Sequence, residues 1–241
     1  MMNHSLTAKE FELLGASAIL KNLDRPALAA IVEAAAFYKM KRGEFFFHQG
    51  EPAAVFYVLV EGRTRLSQIA DDGRQVIFHY FGPGDAMAVI AVLANAIFPV
   101  SAEVLVDTVA LGWDRETAVG LMEQYPQLAI NGMEMVAGRF WELQDRYREL
   151  ATERVEQRLA RTILRLTARR RPQNDSGAPP TLKLSRQELA EMIGTTLYSV
   201  SRICSDWEQR GILATGREQI TLLDKAGLET IADAGLSSES P

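Results

Sequence analysis

The stretch from Leu184 to Leu213, LSRQELAEMIGTTLYSVSRICSDWEQRGIL, leaves the backbone few choices. Ser185 with Glu188 three residues on is a capping box, which satisfies the orphan amides that open a helix. Leu189, Ala190 and Ile193 form the apolar side of that helix, and Ala190 is small enough for a second helix to pack closely. At Gly194 a left-handed turn costs little, because glycine has no side chain to clash. After Thr195 and Thr196, the residues Val200, Ile203, Cys204 and Trp207 recur at helical spacing and face inward, until Gly211 ends the helix. Tyr198, Ser199, Arg202 and Ser205 lie on the opposite face. This order of cap, small residue, glycine and β-branched residues predicts a helix-turn-helix, whose second helix enters the major groove of DNA.

Charge is distributed to match. The 241 residues carry a net charge of -5, which argues against a protein that coats nucleic acid nonspecifically. Met1 to Ala151 holds 13 basic and 19 acidic residues, whereas Thr152 to Leu223 holds 12 basic and 8 acidic. Positive charge therefore gathers where phosphates would be neutralised. The chain, 47% hydrophobic, is long enough for one large domain or two smaller ones. A single cysteine, Cys204, excludes an internal disulfide framework and an all-cysteine iron-sulfur cluster within one chain. Its inward position predicts a buried, inert thiol. There is no signal-like N-terminus and no apolar run long enough to span a bilayer, so a soluble, cytoplasmic protein with no membrane partner is expected.

From Gly43 to Val109, short apolar runs alternate with turn residues roughly every ten positions, the rhythm of strands in a sandwich or barrel. The breaks fall at Lys41-Arg42-Gly43, Gln49 to Pro52, Glu61-Gly62, Asp71 to Gly73 and Gly82 to Asp85. VFYVLVEG and RQVIFHYFGPGD are rich in aromatic and β-branched residues and predict strands. LDRPALAAIVEAAAF, with Pro26 in its first turn, predicts a short helix before them.

A longer helix should start at Pro126. Met133, Val136, Phe140, Leu143, Tyr147 and Leu150 alternate steps of three and four along it, the seam of two-stranded coiled-coil packing, and predict a homodimer interface. A further helix, ERVEQRLARTILRLTARR, opens the third region, with Arg154, Arg158, Arg161 and Arg165 as a solvated basic stripe. RPQNDSGAPP reads as a loop, and ILATGREQITLL as a β-hairpin around Thr215-Gly216-Arg217, giving a winged form. The tail GLSSESP is expected to be disordered.

The helix-turn-helix segment resembles the DNA-binding unit of the CRP/FNR family of bacterial transcription regulators, and Ser201-Arg202 matches its FNR branch. The turns at Glu61-Gly62 and Phe81 to Asp85 resemble the family's jelly-roll sensor. GTTLYSVSR, Trp207 and Pro99 to Glu103 are most similar to FNR-type regulators that respond to nitrogen oxides and control denitrification genes. The resemblance implies an α+β chain of an antiparallel jelly roll like a cyclic-nucleotide-binding domain, a coiled-coil dimer helix and a winged helix-turn-helix. The boundaries are residues 1–125 for the sensor, 126–151 for the dimer helix, 152–225 for the DNA-binding domain and 226–241 for a tail. A homodimer would match a palindromic operator, with RNA polymerase as a further partner. No enzymatic activity is expected, since His4, His48 and His79 lack the spacing of a cupin-type metal site. The helix-turn-helix argues against a regulator acting only on a partner protein.

In the family, the arginine at Arg202 reads a guanine, and a guanidinium fork suits its O6 and N7. Tyr198 departs from the glutamate that many members carry, and could set its ring against a thymine methyl. Arg186, Gln187, Thr195, Thr196 and Ser199 are placed for phosphates, which set position rather than sequence; Ser201 and Ser205 complete the candidate surface. For the effector, alignment on Gly84-Asp85 puts Ala88-Val89 and Val100-Ser101 where cyclic-nucleotide sensors carry glycine-glutamate and arginine-serine. No Lys or Arg occurs between Arg74 and Arg115 to pair a buried phosphate, so cyclic AMP is disfavoured. The candidate pocket of Gly84, Met87, Ala88, Val89, Ile90, Val100 and Ser101 is small and apolar, a lining for heme or a filled core. His79 is the first choice of iron ligand, ahead of His48, His4, Met87 and Tyr80. A cyclic-nucleotide-responsive or an effector-independent regulator remains the alternative.

Overall fold

The structure, a computed structural model, describes residues 7–168, 179–216 and 218–234. The chain forms two compact units that divide between Glu142 and Leu143. His4, Arg217, most of the RPQNDSGAPP loop and the GLSSESP tail lie outside the described residues.

The first unit opens with helices α1 (Ala8–Gly15) and α2 (Arg25–Glu33), the latter capped by Asp24 with Pro26 in its first turn, as the sequence predicts. Strands β1 (Ala36–Met40), β2 (Phe45–Phe47), β3 (Val55–Ile69), β4 (Gln75–Phe81), β5 (Ala86–Met87) and β6 (Ser101–Asp114) form one antiparallel sheet. Its main path runs β1-β6-β3-β4, with β2 paired to β6 and β5 to β3. A short helix, α3 (Val89–Leu93), precedes β6, and α4 (Arg115–Gln124) and α5 (Pro126–Thr152) follow it.

Val58, Leu59, Ala110 and Leu111 at the centre of the β3-β6 pairing are fully buried. Phe56 stacks on Trp113, whose Nε1 donates to Ile31 O at 2.8 Å, so one side chain ties the sheet to α2 while its polar edge is satisfied. Asn131 performs the same task for α5, donating from a fully buried amide to Ile19 O and Lys21 O.

Glu61-Gly62 is not a turn. β3 continues through it, with register shifts against β6 on both sides. Gly62 has φ +99, and a Cβ there would collide with Thr108. The glycine therefore marks a bulge where two strands come too close for a side chain, a signal that resembles a turn when only one strand is visible.

The second unit takes in the last turns of α5 from Leu143, so the compact boundary lies N-terminal of the expected residue 152. It continues with α6 (Val155–Ala168), β7 (Thr181–Leu182), α7 (Arg186–Ile193), α8 (Leu197–Gln209), β8 (Leu213–Gly216), β9 (Gln219–Leu222) and α9 (Lys225–Asp233). The sheet order is β7-β9-β8, and β8-β9 form the expected hairpin. The first half of the expected tail from residue 226 is helix: α9 buries Leu228 and Ala232 in the same core as Leu159, Ile163 and Trp207.

The basic stripe on α6 is not a solvated face. Arg165 grips Glu149 at 2.8 Å, and Arg161 bonds Glu153 at 2.9 Å and Ala232 O at 2.9 Å. Arg158 donates to Glu153 O. Two carboxylates with side chains only 8% exposed draw Arg161 and Arg165 inward and backbone carbonyls hold Arg158, leaving Arg154 outermost.

Candidate nucleic-acid interface

α7 begins as its capping box requires: Glu188 N donates to Ser185 Oγ at 3.1 Å and Ser185 N to Glu188 Oε2 at 2.7 Å. Gly194 ends it at φ 65, ψ 49, the left-handed conformation expected of it. Thr196 then caps α8 by accepting from Ser199 N, with the two hydroxyls 3.0 Å apart. Val200, Ile203, Cys204 and Trp207 point into the core, each 6% exposed or less. Burial pushes the Cys204 thiol up to about 11, so the thiol is protonated and inert at neutral pH.

The outward side of α8 presents Tyr198 at 77% exposure, with Arg202 and Ser205 also exposed and Ser199 and Ser201 half-buried. Arg202 has no hydrogen-bond or ion-pair partner among the described residues. Its fork is therefore available without breaking an internal contact. Exposed Thr196, half-buried Thr195 and exposed Gln187 flank it, the last with Nε2 bonded to Glu191.

Arg186 is placed otherwise than expected. Its Nη2 lies 3.2 Å from Glu208 Oε2 and also donates to Thr215 Oγ1, so it is turned along the protein rather than outward. The reading of single elements also missed Leu197, 45% exposed beside Tyr198, and the Glu208-Thr215 link, which joins α8 to the wing. Glu208 stands four residues after inward-facing Cys204, and only the pairing of β8 reveals what it meets.

In the first unit, Val89 and Ile90 of the seven expected effector residues line an apolar hollow, and the other five lie outside its lining. Met87 and Val89 are buried core, and Gly84, with φ +87, holds the turn into β5 by donating its N–H to Leu59 O. Ala88 takes φ +68 as the cap of α3, a conformation that glycine would adopt without strain. Ser101 Oγ is occupied by Gln49 N at 2.9 Å. Val89 and Ile90 meet Leu93, Met122, Ala129, Gly132, Met133, Val136, Ala137, Phe140 and Trp141 around the hollow, of about 580 Å³. Arg65 on β3 sits 2.5 Å from Glu103 on the neighbouring strand.

The two described histidines both have close neighbours. His79 Nδ1 faces Arg139 Nη1 at 3.5 Å. The His79 ring also packs edge-on against Phe81, with centroids 4.6 Å apart. His48 is exposed and stacks on Phe45; Met87 is core; the Tyr80 ring lies under Arg63. No group of three or more His, Cys, Asp or Glu among the described residues could hold a metal ion.

Along α5, Met133, Val136, Phe140, Leu143, Tyr147 and Leu150 are 45% to 74% exposed, as are Ile130 and Trp141. No described helix is long and apolar enough to cross a membrane.

The family model of the cyclic nucleotide-binding domain matches residues 38–125, and that of the Crp-like helix-turn-helix domain matches residues 157–231. The chain belongs to the CRP/FNR family of DNA-binding transcription regulators. Its α+β architecture is thus the family's antiparallel sensor joined to its winged reader.

Relatives of this CRP/FNR regulator match over most of their length. A CRP-like cAMP-activated global transcriptional regulator of Mycobacterium tuberculosis is 22% identical over 90% of this chain and 97% of its own. The transcriptional activator protein anr of Pseudomonas aeruginosa is 26% identical over 82% and 80%. The structure of FixK2 from Bradyrhizobium japonicum superimposes with a TM-score of 0.71 at 26% identity, covering 82% of this chain and 96% of that one. These relatives are DNA-binding regulators rather than enzymes.

Proposed function

We propose that this regulator reads a palindromic operator as a homodimer, with Arg202 of each protomer specifying a guanine. The observation that carries the reading is the exposed, unpartnered guanidinium of Arg202 on the outward side of α8. A bidentate pair with guanine O6 and N7 is worth about 1 to 3 kcal/mol of discrimination. Tyr198 and Leu197 place apolar surface beside it for a thymine methyl, while Gln187, Thr195, Thr196 and Ser199 lie where phosphates set register. The six seam residues of α5 pair with those of a second copy, so that two-fold symmetry in the protein matches that of the site. RNA polymerase is the further partner the family implies.

The effector is a small molecule other than a cyclic nucleotide. Ala88-Val89 and Val100-Ser101 supply neither the carboxylate nor the cation such a ligand needs, and Arg65 is neutralised by Glu103. In this the chain departs from its cAMP-activated relative in Mycobacterium tuberculosis. Within the family we place it nearest the nitrogen-oxide-responsive FNR-type branch, on GTTLYSVSR, Trp207 and Pro99 to Glu103.

A duplex enriched from a random-sequence pool by the full-length protein tests both parts. Arg202→Ala should flatten preference at one base pair in each half-site, and retention of full preference would sink the assignment. Anaerobic binding to the same duplex should respond to nitric oxide and not to cAMP; a cAMP-dependent rise in affinity would reverse the effector reading.

A further inference from the structure

Glu208 sits in the last turn of α8 and reaches two other elements. Its Oε1 accepts from Thr215 N at 2.8 Å and from the Thr215 hydroxyl, which fixes the first wing strand. Its Oε2 lies 3.2 Å from Arg186 Nη2, at the first residue of α7. The same Nη2 donates to Thr215 Oγ1, closing a three-membered ring of contacts. Arg186 and Glu208 have side chains 32% exposed, so the ring lies at the surface seam between the helix pair and the hairpin. The hydrogen bonds from Thr215 hold the Glu208 carboxyl below the usual carboxylate range, so it is ionised wherever the protein would bind DNA.

We propose that Glu208 is a positioning residue for DNA recognition: with Thr215 it aligns the wing to the recognition helix, and Arg186 acts through this ring rather than on a phosphate. A winged helix-turn-helix grips DNA at two places, and productive binding needs the hairpin held at one angle to α8. At the root of the hairpin Ile212 N donates to Trp207 O at 2.9 Å and Leu213 shares the core with Trp207, but β8 pairs along its length with β9 and with neither helix. Beyond that root the Glu208 carboxylate links α8 to Thr215, and Nη2 of Arg186 ties both ends of that link back to α7. Both contacts fall on Nη2, so the edge of the guanidinium that carries it is turned to Glu208 and Thr215 and holds the side chain along the protein surface. The proposal rests on the reader using α8 in the groove. That premise fails separately, by loss of the effect of Arg202→Ala.

The test uses the full-length protein and the enriched duplex, with a double-mutant cycle and a hydroxyl-radical footprint. Arg186→Ala, Glu208→Ala and Thr215→Val should each weaken binding by about tenfold, and the Arg186→Ala/Glu208→Ala double variant should bind no worse than Glu208→Ala. Protection should shrink at the flank beneath the wing while the guanine preference set by Arg202 is kept. Glu208→Gln, which retains an oxygen acceptor for Thr215 N–H, should restore most of the flank protection. Additive losses of about a hundredfold in the double variant would overturn the proposal. So would a further drop of about 0.9 in the salt slope when Arg186→Ala is added to Glu208→Ala, since that is the mark of a lost phosphate contact. If Glu208→Ala does not fold, Thr215→Val keeps the strand's shape, and a full-length footprint in that variant would equally overturn it.

Discussion

On α6, Arg158, Arg161 and Arg165 end on Glu149, Glu153, Ala232 O and other groups of their own domain, whereas on α8 Arg202 ends in solvent. Both helices carry arginine on an outer face, and both lie in the basic half of the chain. What separates them is the neighbouring carboxylate. Glu149 is 6% exposed, and a buried carboxylate left unpaired costs several kcal/mol, so any guanidinium within reach is drawn to it. No acid faces Arg202 in that way. Formal charge per region therefore overstates what DNA meets: part of it is internal mortar.

The strongest way to break this contrast is Arg165→Ala. It strands Glu149 and should cost about 2 to 4 kcal/mol in thermal unfolding, with Arg165→Ala/Glu149→Leu recovering much of the loss. An unchanged melting temperature in Arg165→Ala would show the α6 face to be solvated after all. Arg202→Ala should do the opposite, leaving stability within about 0.5 kcal/mol while removing roughly ten- to hundredfold of discrimination at one base pair per half-site.

The buried side of α8 supplies the next test. The folded protein holds the Cys204 proton up to about 11, whereas an exposed thiol loses it near about 8.5. Stability from this group is complete below that lower value and falls as pH rises towards the upper one, by about 3 kcal/mol in all. A melting temperature flat between those limits would contradict it, as would thiol labelling that does not wait for unfolding. The smallest effect belongs to Arg154, the exposed member of the α6 stripe. Arg154→Ala should leave stability within about 0.5 kcal/mol, and a salt slope lowered by about 0.9 would assign it, alone of that stripe, to a phosphate.

The parts of the reader legible in sequence were those decided within a few residues. Ser185 and Glu188 cap each other three positions apart, Gly194 turns where a side chain would be strained, and the spacing of Val200, Ile203, Cys204 and Trp207 announces its own inward face. What was hidden depends on partners far along the chain. Gly62 looks like a turn until Thr108 is brought beside it, and Arg186 looks like a phosphate ligand until Thr215 folds back over Glu208. α9 lacks a long apolar stripe, and only Leu159 and Ile163 across the core explain why Leu228 is buried. The effector candidates suffered most, because a run of small apolar residues reads alike whether it lines a cavity or fills one. Met87 fills the core, while Val89 and Ile90 line the hollow against α5.

The pairing of β3 with β6 runs from Val55 opposite Asp114 to Ser67 opposite Ser101. During synthesis β3 leaves the ribosome long before its main neighbour exists, and its run of Phe56 to Val60 must wait in water until the chain has been made through Asp114. Contacts so distant in sequence form slowly, and an unpaired apolar strand is an aggregation hazard while it waits. The helical hairpin of α7 and α8 has no such delay, since its two halves are consecutive. The first-made half of this regulator is thus the half whose nascent form is the more exposed to aggregation.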